Sequence, residues 1–335
     1  MARMVLAGER EVQPADSPAS LERDGPRRRI PPMQFLERPL LWALPHVPTP
    51  VMRRMASRYI AGETLLEALA KLRDLERAGH PGILDLLGED VLGEPAARAV
   101  AAEYVQAARA VAARGLDTYV SIKPTHFGLR VSERLTLELY REVVTACSEL
   151  GLFVRVEMED HTTTDATLRV FGALRSEFDN VGIVLQSRLL RTPHDIADLL
   201  AAPGHELSVR LVKGIYLEPH VIAHVRPEPI RSAFLECSRL LLEGGARLSW
   251  ATHDRLLGED LVAQADGLGL GGRCEFQVLL GVQEPLWKQW AAGGRIVRVY
   301  VPYGPQWRAY SLRRMRKNPQ ILRHVALNAL GLRPR

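Results

Sequence analysis

Residues 153–187, FVRVEMEDHTTTDATLRVFGALRSEFDNVGIVLQS, decide how the chain is to be read. A short apolar run, FVRVEME (153–159), leads through a helix-like segment, Asp165–Phe178, into a second apolar run, VGIVLQS (181–187). Strands that alternate with helices pair in parallel through crossovers. The pattern repeats in both directions. PGILDLLG (81–88) and TYVSIKP (118–124) precede it, and LSVRLVKG (207–214), LSWATHD (248–254), CEFQVLLG (274–281) and VRVYVPYG (297–304) follow it. Helix-like segments Glu94–Arg114, Ser132–Leu150, His194–Leu200, Pro229–Glu243 and Leu256–Gly267 fill the intervals. Eight such runs over about 250 residues predict an α/β fold, a closed (β/α)8 barrel of the TIM kind. The alternative is a doubly wound open sheet. Against it, no GxGxxG joins a first strand to its helix, and the glycine-rich segment Gly267–Gly272 precedes a strand instead.

Outward from the barrel, residues 1–30 are polar and without period and read as a flexible leader. Residues 31–79 read as an N-terminal helical extension: short apolar segments broken by Pro39, Pro45, Pro48 and Pro50, then a helix at Leu65–Arg77. The barrel with a C-terminal helix takes residues 80–335. Within the extension Trp42 and Leu40 pack on the main domain, or rest on a membrane surface as a peripheral contact. No apolar run approaches the roughly 18 residues of a spanning helix, and the N-terminus has no apolar signal core. The composition, 47% hydrophobic and 25% charged, is that of an ordinary globular enzyme, and the formal charge of +5 comes with no nucleic-acid reading motif. Three widely spaced cysteines, Cys147, Cys237 and Cys274, form no CxxC pair and read as reduced thiols of a cytoplasmic protein; no metal site is expected.

Polar residues gather at the C-terminal ends of the strand-like runs, the face on which barrel enzymes carry their sites. Lys123, Glu157 with Glu159 and Asp160, Gln186, Lys213 with Tyr216, Thr252 with His253 and Asp254, Gln277 and Tyr300 all sit there. One polar strand end means little; seven in eight predict an active site. The last run continues into IVRVYVPYGPQWRAYSLRRMRKN (296–318), where Tyr310, Arg313, Arg314 and Lys317 recur along one helical face. Adjacent arginines offer two planar forks to a carboxylate or phosphate. Tyrosines 300, 303 and 310 set aromatic rings beside those forks.

The segments RYIAGET, ILDLLGED, SIKPTHFG, VRVEMED with TDATLRVF, VLQS, RLVKGIYLEP, ATHD, EFQVLLGV and VRVYVPYG with YSLRRM occur in this order over roughly residues 58–330. In this the chain resembles the proline dehydrogenases. The resemblance implies a distorted (β/α)8 barrel that binds FAD at the C-terminal ends of its strands. It implies oxidation of L-proline to 1-pyrroline-5-carboxylate by hydride transfer from ring carbon C5 to flavin N5, with the electrons passing to a quinone or similar acceptor. Arg313, Arg314 and Lys123 would hold the substrate carboxylate; Tyr300, Tyr310, Tyr216 and Leu211 would wall the ring; Glu89 would pair with Arg313 and close the site. Arg210 and Gln186 would contact the isoalloxazine, and Met158, Lys213, Gly214, Ile215, Thr252 and His253 would contact FAD. Glu157 and Lys123 would set the protonation state of the substrate amine.

Four positions depart from the family pattern. Glu157 replaces an aspartate, Ile215 an alanine, Arg188 a tyrosine and Lys317 an acidic residue. These bear on substrate identity and cofactor affinity, so a dehydrogenase of another cyclic or N-alkyl amino acid, such as hydroxyproline or pipecolate, is the alternative within the class. A flavin-free barrel that binds a small carboxylate is the alternative outside it.

Overall fold

The computed structural model describes residues 48–317, with the backbone alone for Met55 and residues 313–317. The expected leader and the Leu40 and Trp42 contact lie outside the described residues. Two helices come first, α1 (Thr49–Ala56) and α2 (Leu65–Arg77). Then strands and helices alternate: β1 (Gly82–Leu86), α3 (Glu94–Ala112), β2 (Thr118–Ile122), α4 (Glu133–Glu149), β3 (Val154–Val156), α5 (Thr164–Glu177), β4 (Val181–Gln186) and α6 (Thr192–Ala201). The second half is β5 (Ser208–Val212), α7 (Pro227–Glu243), β6 (Arg247–Ala251), α8 (Arg255–Gly267), β7 (Cys274–Leu279), α9 (Glu284–Ala292), β8 (Val297–Tyr303) and α10 (Trp307–Lys317).

The eight strands close in sequence order into a barrel, every pair parallel, with β8 returning to β1 in the register Gly82 to Val299 and Leu86 to Tyr303. The expected closed barrel is what forms, and the open sheet is excluded. Helix starts follow local chemistry. Thr64 and Glu67 form a reciprocal capping box before α2, and Ser132 and Asp254 accept backbone N–H groups at the starts of α4 and α8. Helix α9, which the sequence reading passes over, begins at Glu284–Pro285 and buries Trp287 and Trp290.

Helix α2 packs against β8 and β1, on the outside of the barrel's last seam. Helix α10, which follows β8, packs instead against α1. Between them the segment 58–64 is stitched to the end of β8: Ala61 N–H donates to the Pro302 carbonyl and Gly304 N–H to the Gly62 carbonyl. Gly281 permits the adjoining approach, because a Cβ there would lie 2.0 Å from the Arg58 carbonyl oxygen.

The strands alternate sharply. Their outward residues, among them Leu84, Val120, Val154, Ile183, Leu211, Trp250, Phe276 and Val299, are fully buried against the helices in one apolar core. The inward residues include Asp85, Tyr119, Ser121, Arg155, Glu157, Arg210, Glu275, Gln277 and Arg298, where barrel interiors are usually filled by branched aliphatic side chains. The three cysteines are free and buried, and burial pushes the thiols of Cys147 and Cys237 up to about 12 and that of Cys274 to about 11.

Candidate active site

Charges buried inside a barrel must find partners, and toward its C-terminal mouth two ion pairs do this. At the top of β2, Lys123 donates to Asp85 on the neighbouring β1; the Asp85 side chain is wholly buried. Burial alone would push the Lys123 ammonium down, but the carboxylates of Asp85 and Glu157 outweigh it and hold the lysine charged. Across the barrel Arg210 of β5 meets Glu157, just beyond β3, and Ser121 of β2 also donates to that carboxylate. Burial raises the Glu157 carboxyl, and the Arg210 guanidinium overrides this and keeps it below the usual glutamate range. Tyr300 on β8 lies over Arg210, its ring centroid 5.3 Å from the guanidinium carbon.

Above these pairs the strand-end loops converge. Glu159 accepts the Thr125 N–H and hydroxyl at 2.7 Å each, and burial raises its carboxyl to about 6. Glu89, in the loop after β1, acts electrostatically on Lys123, Glu159 and Tyr216, so these four share one neighbourhood. Arg130 clasps the loops from two sides, bonding Asp90 at 2.9 Å and Asp160 at 3.0 Å. His161 bonds Glu218 and ties the loop after β3 to the loop after β5. Arg188 donates to the Tyr216 carbonyl.

Of the residues singled out in the sequence, the structure gathers Lys123, Glu157, Arg210, Tyr300, Tyr216 and Glu89 around the barrel mouth, and Tyr310 is close enough to act on the Tyr300 hydroxyl. Gln186 is buried, its amide donating to the Glu159 carbonyl at 2.8 Å, while its Oε1 is buried without a hydrogen-bond partner among the described residues. Gly214 abuts that oxygen at φ +95°, and a Cβ there would lie 2.7 Å from it. Lys213 pairs with Asp254 at 2.7 Å, and Thr252 Oγ1 accepts the Asp254 N–H at 3.1 Å. His253 Nε2 accepts the Leu279 N–H at 3.0 Å, so a neutral ring carries its proton on Nδ1. Ile215 is 69% exposed, and Met158, expected to contact FAD, is instead buried in the apolar core, one residue out of phase with the inward Glu157. The side chains of Arg313 and Arg314 lie outside the described residues, and both positions fall within α10.

Other expectations are corrected as well. Leu211 is in register with Leu185 and Trp250, one residue out of phase with Arg210, and fills the core between strand and helices rather than the site. Tyr303 alternates with Tyr300 in the same way and joins that core, so of the two only Tyr300 faces the barrel interior. Glu157, expected to act together with Lys123, makes its direct ion pair with Arg210 and reaches the lysine only electrostatically, because Asp85 on the adjacent strand takes the lysine. Sequence reasoning missed Asp85, Tyr119 and Ser121. Asp85 carried a readable signal: it is the one charged residue in the strand GILDL, and a charge amid an apolar strand has to be paired.

Residues 68–326 match the sequence profile of the family described as proline dehydrogenase. The proline dehydrogenase of Deinococcus radiodurans is 36% identical over 275 residues, which cover 80% of this chain and 88% of that protein. Proline dehydrogenase 1 of Bacillus subtilis is 32% identical over 269 residues, covering 79% and 87%. Among solved structures, proline utilization A from Bdellovibrio bacteriovorus, inactivated by N-propargylglycine, superposes with a TM-score of 0.74 at 24% identity over 81% of this chain. This chain spans 32% of the length of that one, and the likeness is one of fold. With the profile running from α2 into the C-terminal segment and the relatives matching nearly end to end, the chain belongs to the proline dehydrogenase family.

Proposed function

We propose that the protein oxidises L-proline to 1-pyrroline-5-carboxylate with FAD as its cofactor, for eventual reoxidation by a quinone-type acceptor. The observation that carries this reading is the pair of buried ion pairs, Lys123 with Asp85 and Arg210 with Glu157, set beneath Tyr300 at the mouth of the barrel. The residues fit a flavin. Gln186 Oε1, without a partner among the described residues, suits a ring N–H, Gly214 leaves room where any side chain would collide, and the fixed Arg210 cation suits a ring that gains negative charge on reduction. Gln186, Arg210, Lys213, Gly214, Ile215, Thr252 and His253 would hold it, and a flavin bound there would supply the acceptor for a hydride from ring carbon C5.

The chain's own residues do the rest. Lys123 binds the substrate carboxylate, and Arg313 and Arg314 would join it there, since several cations suit one anion. Tyr300, Tyr310 and Tyr216 enclose an apolar ring and exclude water. Asp85 keeps Lys123 charged, so the lysine stays a fixed cation and leaves the substrate amine free to bind neutral. Glu89 in the loop after β1 closes over the pocket. Pipecolate and hydroxyproline are the competing substrates, because Ile215 changes the shape of the wall. Anaerobic addition of proline, pipecolate and hydroxyproline to purified protein tests this: proline should bleach a flavin spectrum fastest. A protein that remains colourless with added FAD overturns the reading.

A further inference from the structure

Arg210 is held on every side. Its Nε donates to Gln277 Oε1, its Nη1 to Glu157, and its Nη2 to the Tyr119 hydroxyl at 3.2 Å. Gln277 in turn donates from Nε2 to the same Tyr119 oxygen at 2.6 Å, which closes a three-membered ring of hydrogen bonds beneath the guanidinium. The Gln277 amide has only one workable orientation. Its oxygen must face the arginine, and its NH2 faces Tyr119 and the Glu275 carboxylate; a flipped amide would turn its NH2 onto the Arg210 N–H and its oxygen onto the Glu275 carboxylate. Glu275 is fixed from below by Arg298 at 3.2 Å, and Arg298 reaches Asp117 at 2.9 Å near the N-terminal mouth. The Tyr119 ring is set by cations as well, with guanidinium carbons of Arg298 and Arg155 at 5.1 and 5.8 Å from its centroid.

Glu157 alone satisfies the charge of Arg210. The contacts from Tyr119 and Gln277 add direction: three anchored nitrogens define the plane and the rotation of a rigid fork. The geometry points to Tyr119 and Gln277 as positioning residues that fix the Arg210 guanidinium from the barrel floor for its work on the cofactor. This rests on the reading that Arg210 acts at the flavin.

The test uses the full-length FAD-loaded protein and anaerobic bleaching by proline. Tyr119→Phe keeps the ring and its cation contacts and removes only the hydroxyl; Gln277→Met is the second variant. Each should slow the limiting bleaching rate by about tenfold, with the half-saturating proline concentration and FAD occupancy within about twofold of wild type. The midpoint potential of the bound flavin should shift in the direction that Arg210→Lys shifts it. Combined with Arg210→Lys, Tyr119→Phe should cost nothing further. If Arg210→Lys is slow while both variants bleach like wild type, or lose only melting temperature, the positioning role is overturned. If losses in the double variant multiply, the two act separately and the role is equally overturned. If Arg210→Lys itself bleaches at the wild-type rate, the reading of Arg210 falls and takes the positioning role with it.

Discussion

The two faces of the same strands follow opposite rules. On β6 and β7, Trp250 and Phe276 point outward and are fully buried, their rings 5.2 Å apart, and Phe276 stacks on Trp290 of α9 at 3.9 Å. One residue along, Ser249, Glu275 and Gln277 point inward and hold one another by directed hydrogen bonds. Apolar burial is non-directional and scales with area, so the outer face supplies the stability and tolerates imprecision. Buried ions recover little net stability after desolvation, and what they contribute is position. The barrel wall can therefore be stabilised from outside while its lumen is given over to charge.

The sharpest way to break this contrast is to damage the outer face alone. Phe276→Ala should cost about 3–5 kcal/mol in denaturant unfolding, while activity per folded molecule is retained. A collapse of activity without loss of stability would show the two faces to be coupled. Glu159 probes the inner face by pH. Its folded carboxyl sits at about 6 against an ordinary 4.5, so the folded chain holds the proton more tightly, and stability is lost as pH rises from about 4.5 through 6. The stability difference between wild type and Glu159→Gln should thus move by about 2 kcal/mol against the wild type between about pH 4 and about pH 7.5. A constant difference would remove Glu159 as a titrating group.

Glu157→Gln, nearly isosteric, should lower kcat/KM for proline at least tenfold, about 1.4 kcal/mol, whereas Glu157→Asp preserves the charge opposite Arg210 and most of the rate. Equal losses in both would show that reach, not charge, is what Arg210 needs. Smallest of all, Ile215→Ala should leave stability within about 0.5 kcal/mol, as befits an exposed side chain, and reorder the rates for proline, pipecolate and hydroxyproline. Parallel changes in all three rates would assign Ile215 to cofactor support instead.

The outer face is also the part the sequence discloses. Runs such as VGIVLQS and the helix at Leu65–Arg77 carry their periodicity locally, and the strands and helices form where that periodicity places them. The inner face is legible only as a list of polar strand ends. Which partner Lys123 takes depends on how far a side chain reaches across a closed circle, and nothing in linear order says that Asp85 is nearer to it than Glu157. The strand-face periodicity does contain the correction for Leu211 and Tyr303, because each is one residue out of phase with an inward neighbour. Arg155, Glu275 and Arg298 stand on the same inward phase but toward the N-terminal mouth, away from the strand ends on which the search for a site concentrates.

The three sequestered thiols make the molecule a stopwatch for its own breathing. Cys147 reports from α4, Cys237 from α7 and Cys274 from the start of β7, and a buried thiol raised to about 11 or 12 alkylates slowly until its segment opens. Alkylation rates at the three sites, resolved by mass, would time the opening of three sectors of the barrel without any added label.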